Sequence, residues 1–149
     1  MCLDILRKIL CKQEASIPAP SPLDDIDSSE VLTILSAEFP GAKLYIADSK
    51  YKTTTKEEFM RFINNDSTDW NQYISEYYDC DDFSFSLMGH ISNQEWGSLP
   101  FAIVWADVPG GAHAINCFID INREVWIVEP QSDNVFKLPS TWKPYFVVI

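Results

Sequence analysis

The chain contains no CxxC pair, and its four cysteines, Cys2, Cys11, Cys80 and Cys117, are scattered. That spacing excludes a zinc ribbon and a thioredoxin-type dithiol, and offers no dense disulfide framework. A reducing compartment is the simpler expectation. Cations are also scarce, with 11 Lys and Arg against 22 Asp and Glu, a net charge of -11 and a pI near 4.4. Binding nucleic acid requires clustered Lys and Arg on the phosphates, so nucleic acid is excluded as an expected partner. Carboxylates in excess suit hard divalent cations instead. No apolar run approaches the roughly 20 residues of a membrane span. No signal peptide is expected either, since the start lacks a continuous apolar stretch with a small-residue cleavage site. A cytoplasmic location is the default expectation. Repeats are absent, as is any low-complexity tract beyond one proline-rich segment.

What is present describes a folded chain. Its 149 residues suffice for one domain with one core, and 46% hydrophobic residues can supply that core. "MCLDILRKILCK" places Leu3, Leu6, Ile9 and Leu10 at helical spacing. Residues 1–12 read as a docking helix, or else as a contact for a membrane surface or partner, acylated at Cys2 or Cys11. "ASIPAPSPLDD" reads as an extended linker, so residues 1–22 form a helix plus linker and residues 23–149 the domain. Within it, "DSSEVLTILSAEF" predicts a helix capped by Asp27 or Ser28, "AKLYIAD" a strand, and "TTTKEEFMRFINND" a Thr-capped helix. "DWNQYISEYY" predicts a short helix. The second half changes period. "FAIVWADV", "HAINCFIDI", "EVWIVEP", "NVFKLP" and "YFVVI" predict strands, with a hairpin around "DINRE". Helices first and antiparallel strands after predict an α+β layout.

The hairpin assembles chemistry. A period of two puts His113, Ile115, Cys117 and Ile119 on one face, together with Val125, Ile127 and Glu129. If Ile119 pairs near Glu124, His113 pairs near Glu129 or Pro130 and the imidazole touches the carboxylate. Such a carboxylate fixes the tautomer of a general base. A slip of one residue would break the pairing. The nucleophile would be Cys80, which starts a helix capped by Asp79, with Phe83, Leu87 and Ile91 on one stripe. Helix N-terminal N–H groups lower a thiol pKa and can hold an oxyanion. Cys117 reads as packed, and His90 as the basic residue at the end of that helix.

Three segments in this order, "YDCDDFSFSLMGH", "GGAHAINCFI" and "VEPQSDNVF", with "KLYIADSKY" before them, resemble the papain-like C-terminal domain of the Marasmius oreades agglutinin family of fungal chimerolectins. The likeness covers about Leu32 onwards. It implies a papain-like cysteine proteinase fold and a calcium-dependent cysteine peptidase with Cys80 as nucleophile, His113 as base and Glu129 as orienting residue. It also implies Ca²⁺, with Mn²⁺ as a substitute, held by Asp81, Asp82, Gln131 and Asp133. A peptide or protein is the implied substrate, and a homodimer the implied assembly. No lectin trefoil of the family is expected ahead of the domain, and the helix and linker are expected in its place.

The acids around Cys80 then acquire a role. Asp79, Asp81 and Asp82 oppose thiolate formation when bare, and a bound cation reverses the local field. Two other expectations share the same residues: acyl transfer to an amine, as in a transglutaminase, and a catalytically silent papain-like interaction module.

Overall fold

The computed structural model describes residues 17–93 and 95–149. The helix expected over residues 1–12 lies outside them. Twelve short elements follow in chain order: β1 (Asp24–Asp27), α1 (Ser28–Glu38), β2 (Lys43–Tyr45), β3 (Lys50–Thr53), α2 (Lys56–Ile63), a 3₁₀ turn (Thr68–Trp70), α3 (Cys80–Ser92), β4 (Phe101–Val108), β5 (Gly111–Ile119), β6 (Val125–Glu129), β7 (Asn134–Phe136) and β8 (Lys143–Val148).

This corrects the expectation of helices followed by a sheet. Strands dominate, and three of the eight precede α2. Six build one sheet in the order β2-β8-β4-β5-β6-β7, and β1 and β3 pair in a ribbon of their own. All pairings are antiparallel except β2 with β8, which align Lys43 with Phe146 and Tyr45 with Val148 in parallel. β1 and β3 escape a sequence reading because four residues hold barely one alternation, too little to separate a strand from a cap or loop. "DWNQYISEYY" is also no helix. It forms the 3₁₀ turn and then a tight turn closed by the Ile74–Tyr78 bridge.

Strand alternation sends side chains to two layers. Val104, Ile115, Cys117, Ile127 and Val147 meet Val31 and Leu35 of α1, Phe39 just after it, and Ile26 and Tyr51 of the ribbon. Phe101, Phe118 and Val128 face the other way, against Phe59, Phe62 and Ile63 of α2 and Leu87 and Ile91 of α3. The six-stranded sheet is thus covered on both faces, consistent with the near-continuous burial of β4 and β5.

Helix starts are fixed locally. The Asp27 carboxylate accepts from Glu30 N at 2.9 Å, and Thr55 Oγ1 accepts from Glu58 N at 3.1 Å. The proline-rich segment is tied to the domain where it is described. Pro18 O accepts from Trp96 Nε1 at 3.0 Å, and Pro22 O from Thr54 Oγ1 at 2.7 Å.

Arg123, at the β5–β6 turn with a φ of 67°, holds the ribbon and α1 to the main sheet. Its guanidinium reaches Glu30 Oε1 at 2.7 Å, Asp24 Oδ2 at 2.9 Å and Thr53 Oγ1 at 3.0 Å. These partners are partly exposed, so solvent weakens each pair. Arg123→Met keeps the stem and removes the fork. It is expected to cost about 1 to 2 kcal/mol in urea unfolding. An unchanged midpoint would show that the fork contributes only geometry.

Candidate functional site

The expected site residues lie at the start of α3, near the start of β5, and at and just after the end of β6. α3 begins at Cys80 behind the N-cap Asp79, whose N–H donates to Asp82 Oδ2 at 3.1 Å. The Asp82 carboxylate is therefore engaged in capping. Asp79, Cys80 and Asp81 bring their ligand atoms within 4.8 Å of one another. Asp81 is held above the usual carboxyl range, first because its carboxyl group hydrogen-bonds to the Asp79 carboxylate and then because it is desolvated. The same bond lowers Asp79. The two carboxyl groups thus interact directly.

On the sheet, His113 Nε2 lies 2.7 Å from Glu129 Oε2, both groups half-buried. The contact arises from a register other than the expected one. Ile119 pairs with Val125, and Asn116 with Val128, one residue along from the pairing drawn from sequence. His113 and Glu129 still share a face and meet diagonally, within reach of two long side chains. The ring also meets Trp142 edge-on, with centroids 5.8 Å apart. Glu129 Oε1 accepts from Gln131 N at 3.3 Å, which turns the backbone after β6 back toward the strand end.

Cys80 and His113 come from different layers. Phe118 and Asn116 look toward α3, and Asn116 Nδ2 donates to Ser84 O at 3.2 Å. His113 shares a strand face with Ile115 and Cys117, whose side chains lie on the α1 side. Among the described residues no hydrogen bond joins Cys80 to His113. Cys117 is fully buried, and desolvation pushes its thiol far up, so it is inert.

A second acidic group was not foreseen. Asp66 and Asp69 flank the start of the 3₁₀ turn, and Asp133 stands after β6 with a φ of 57°. His90 does not only finish α3. Its Nδ1 lies 2.6 Å from Asp66 Oδ2 and 3.1 Å from Thr68 Oγ1, so Asp66 is satisfied. Asp69 Oδ1 and Asp133 Oδ1 are buried without a hydrogen-bond partner. Burial first, then the charges of Asp69 and Asp66, push Asp133 up to about 7. A left-handed backbone, an orphaned buried oxygen and a raised carboxyl at one residue are the kind of strain that a bound ligand relieves. Of the four expected metal ligands, Asp81 belongs to the Asp79 group and Asp82 to the cap. Asp133 belongs to the Asp66–Asp69 group, and Gln131 enters through its backbone. The Asp66-x-x-Asp69 spacing was the one available signal for the missed pair. Nothing local distinguishes it from an ordinary turn.

Asn116 is the remaining buried group with an unmet need among the described residues. Its Nδ2 bonds Ser84 O and Ala102 O, each at 3.2 Å, while Oδ1 has no partner. Asn116→Ala removes the side-chain link between α3 and β4 and is expected to cost about 1 to 3 kcal/mol in denaturant unfolding. A loss below measurement would show that the two carbonyls are satisfied without it.

No family model matches the chain, and no curated protein matches it. Solved structures do. One is described as the PSL1a-E64 complex, with a TM-score of 0.74, 24% identity and coverage of 84% of this chain and 51% of the other. Another is the Polyporus squamosus lectin bound to the human-type influenza-binding epitope Neu5Aca2-6Galb1-4GlcNAc, with a TM-score of 0.71, 24% identity and coverage of 84% and 49%. The chain spans about half the length of each. These likenesses overturn the papain-like reading and the placement in the Marasmius oreades agglutinin family. The structures sharing this arrangement are those of a lectin, and they do not carry the expected cysteine hydrolase, peptidase or acyl-transferase activity over to this chain. The expected peptide substrate loses its support with them. Among the described residues no helix is long and apolar enough to cross a membrane. What the likeness shows is the fold: this chain has the architecture of one half of a fungal lectin structure.

Proposed function

We propose that this chain is a cation-dependent binding module whose ligand is a hydroxyl-rich glycan. The observation that carries it is the pair of buried, unpartnered carboxylate oxygens at Asp69 and Asp133. Hard oxygen donors of this kind suit Ca²⁺ better than a soft metal. A cation there would satisfy both oxygens and offset the charge that now forces Asp133 up. Asp69 and Asp133 would hold it, with Gln131 two residues before Asp133. A bound divalent ion offers open positions to sugar hydroxyls, which an acidic surface otherwise meets only through weak hydrogen bonds. The glycan in the Polyporus squamosus lectin structure supports the ligand class.

The test is a glycan array probed with the full chain, with Ca²⁺ and with chelator, beside calorimetry of Ca²⁺ binding. Calcium-dependent glycan retention that is lost in Asp133→Asn is expected. Retention of no glycan under either condition would assign glycan binding to the other half of the longer lectins and end this reading.

A second reading concerns the thiol and rests on the His113–Glu129 contact at 2.7 Å. In it, Cys80 is the reactive group of the site, and His113, oriented by Glu129 but not hydrogen-bonded to the thiol here, is the base that would take its proton. Iodoacetamide is expected to label Cys80 before Cys2 and Cys11, and His113→Ala to slow that labelling about tenfold or more. Equal labelling of all three, or no effect of His113→Ala, would leave Cys80 as an ordinary half-buried thiol.

A further inference from the structure

The charge of this chain is partitioned along its length. Between Arg61 and Arg123 there is neither Lys nor Arg, while nine Asp or Glu fall in the same interval. The excursion from α2 to α3 is the densest part of it. There Asp69, Glu76, Asp79 and Asp81 alternate with large aromatic side chains that the core does not take. Trp70 is 82% exposed and Tyr77 83%, and Tyr73 and Ile74 are also out in solvent. None of those four acids has an ion pair among the described residues.

The excursion is nevertheless built, not loose. Tyr78 O accepts from Ile74 N at 2.9 Å, and Glu76, at a φ of 64°, turns the chain so that its N–H donates to Asp79 Oδ2 at 3.3 Å. Tyr78 packs edge-on against Phe83 of α3, with centroids 4.8 Å apart. A fixed turn therefore presents Tyr77 outward between two acids.

An indole or phenol face beside a carboxylate is complementary to an ammonium or guanidinium group: the ring attracts the cation and the carboxylate pairs with it. This chain uses that chemistry internally. Lys56 Nζ and Lys137 Nζ sit 3.5 and 3.8 Å from the Trp126 ring centroid. We propose that the excursion from α2 to α3, with exposed Trp70 and Tyr77 and the acids Glu76, Asp79 and Asp81 along it, is a docking site for a Lys- or Arg-bearing segment of a protein partner. A nucleic acid or anionic lipid surface is repelled by the same acids, and a purely apolar partner would strand them without solvent.

The site is tested with the full chain in chelator, by fluorescence anisotropy of three labelled peptides: alternating Arg-Gly, the same with Glu for Arg, and the same with Ser. The Arg peptide alone is expected to bind, more weakly as salt rises. Trp70→Ala with Tyr77→Ala, both surface changes, is expected to weaken it about tenfold. Asp107→Asn, an acid elsewhere in the same interval, is expected to leave it unchanged. If the double variant binds as the parent does, the attraction belongs to net charge and the proposal falls. Binding of the Ser peptide equal to the Arg peptide, or displacement of the Arg peptide by a neutral glycan, overturns it equally. Asp133→Asn keeps this surface, so loss of glycan binding and loss of peptide binding are read separately.

Discussion

Asp133→Asn is expected to raise the melting temperature of the calcium-free protein at about pH 8 and to abolish its stabilisation by calcium. The sign follows from the direction of the shift. Asp133 is raised in the folded chain to about 7, from an ordinary value of 3.8. Between those values the folded chain keeps a proton that the unfolded chain releases, so the stability drawn from this group is full below 3.8 and falls as pH climbs toward 7. Above that, the folded state carries a charge it solvates poorly, and asparagine removes it at nearly constant shape. Melting curves of the two proteins across this range should converge at low pH and separate at high pH. Parallel curves would place the burden elsewhere. The calcium arm is read separately. A ligand at a hundredfold its Kd stabilises by about 2.7 kcal/mol, and the variant should show none of it. A calcium response that survives the substitution would remove Asp133 from the cation site.

Phe59→Ala is the second large effect. Phe59 is fully buried, stacked on Phe118 with centroids 3.9 Å apart and near Phe101 and Phe62 at 5.7 and 6.4 Å. It is where α2 joins the sheet. Truncation removes the contact and leaves a void that rigid rings cannot close, for a cost of about 3 to 5 kcal/mol. Against a typical total of about 5 to 15 kcal/mol, that brings the domain close to unfolding at room temperature. Phe59→Leu should recover more than half of the loss. Urea unfolding followed by tryptophan emission measures both. A loss below about 1 kcal/mol for the alanine variant would mean the aromatic stack relaxes as a fluid cluster does.

The same residues show what a sequence can and cannot reveal here. α1, α2 and α3 were legible because each begins at an Asp or Thr that caps it and then repeats an apolar stripe. β4 to β8 were legible as apolar or alternating runs. The His113–Glu129 contact was legible only in part: pairing Ile119 directly with Glu124 would set the two residues on opposite faces, whereas the observed pairing of Ile119 with Val125 puts them on one face and within diagonal reach. The parallel pairing of β2 with β8 was not, since no local signal connects Lys43–Tyr45 to a segment a hundred residues on. Nor was the ribbon of β1 and β3, or the meeting of Asp69 with Asp133. The family expectation failed differently. Cysteine, histidine and glutamate in a familiar order suggested a fold and an activity together, whereas order along the chain carries neither layer nor contact.

The place of β8 in the sheet has a consequence for how the chain is made. β8 lies between β2, formed from residues near 45, and β4, formed from residues near 105. A nascent chain emerging in sequence thus finishes β4, β5, β6 and β7 while the slot beside β4 stands open. β2 has no strand to join until residues 143–148 have left the ribosome. The domain cannot close until β8 has emerged, and before then one flank of β4 offers free N–H and C=O groups to any strand nearby. Chaperone demand in this protein should fall on that interval, and a circular permutant that delivers β8 early should be the one that needs least help.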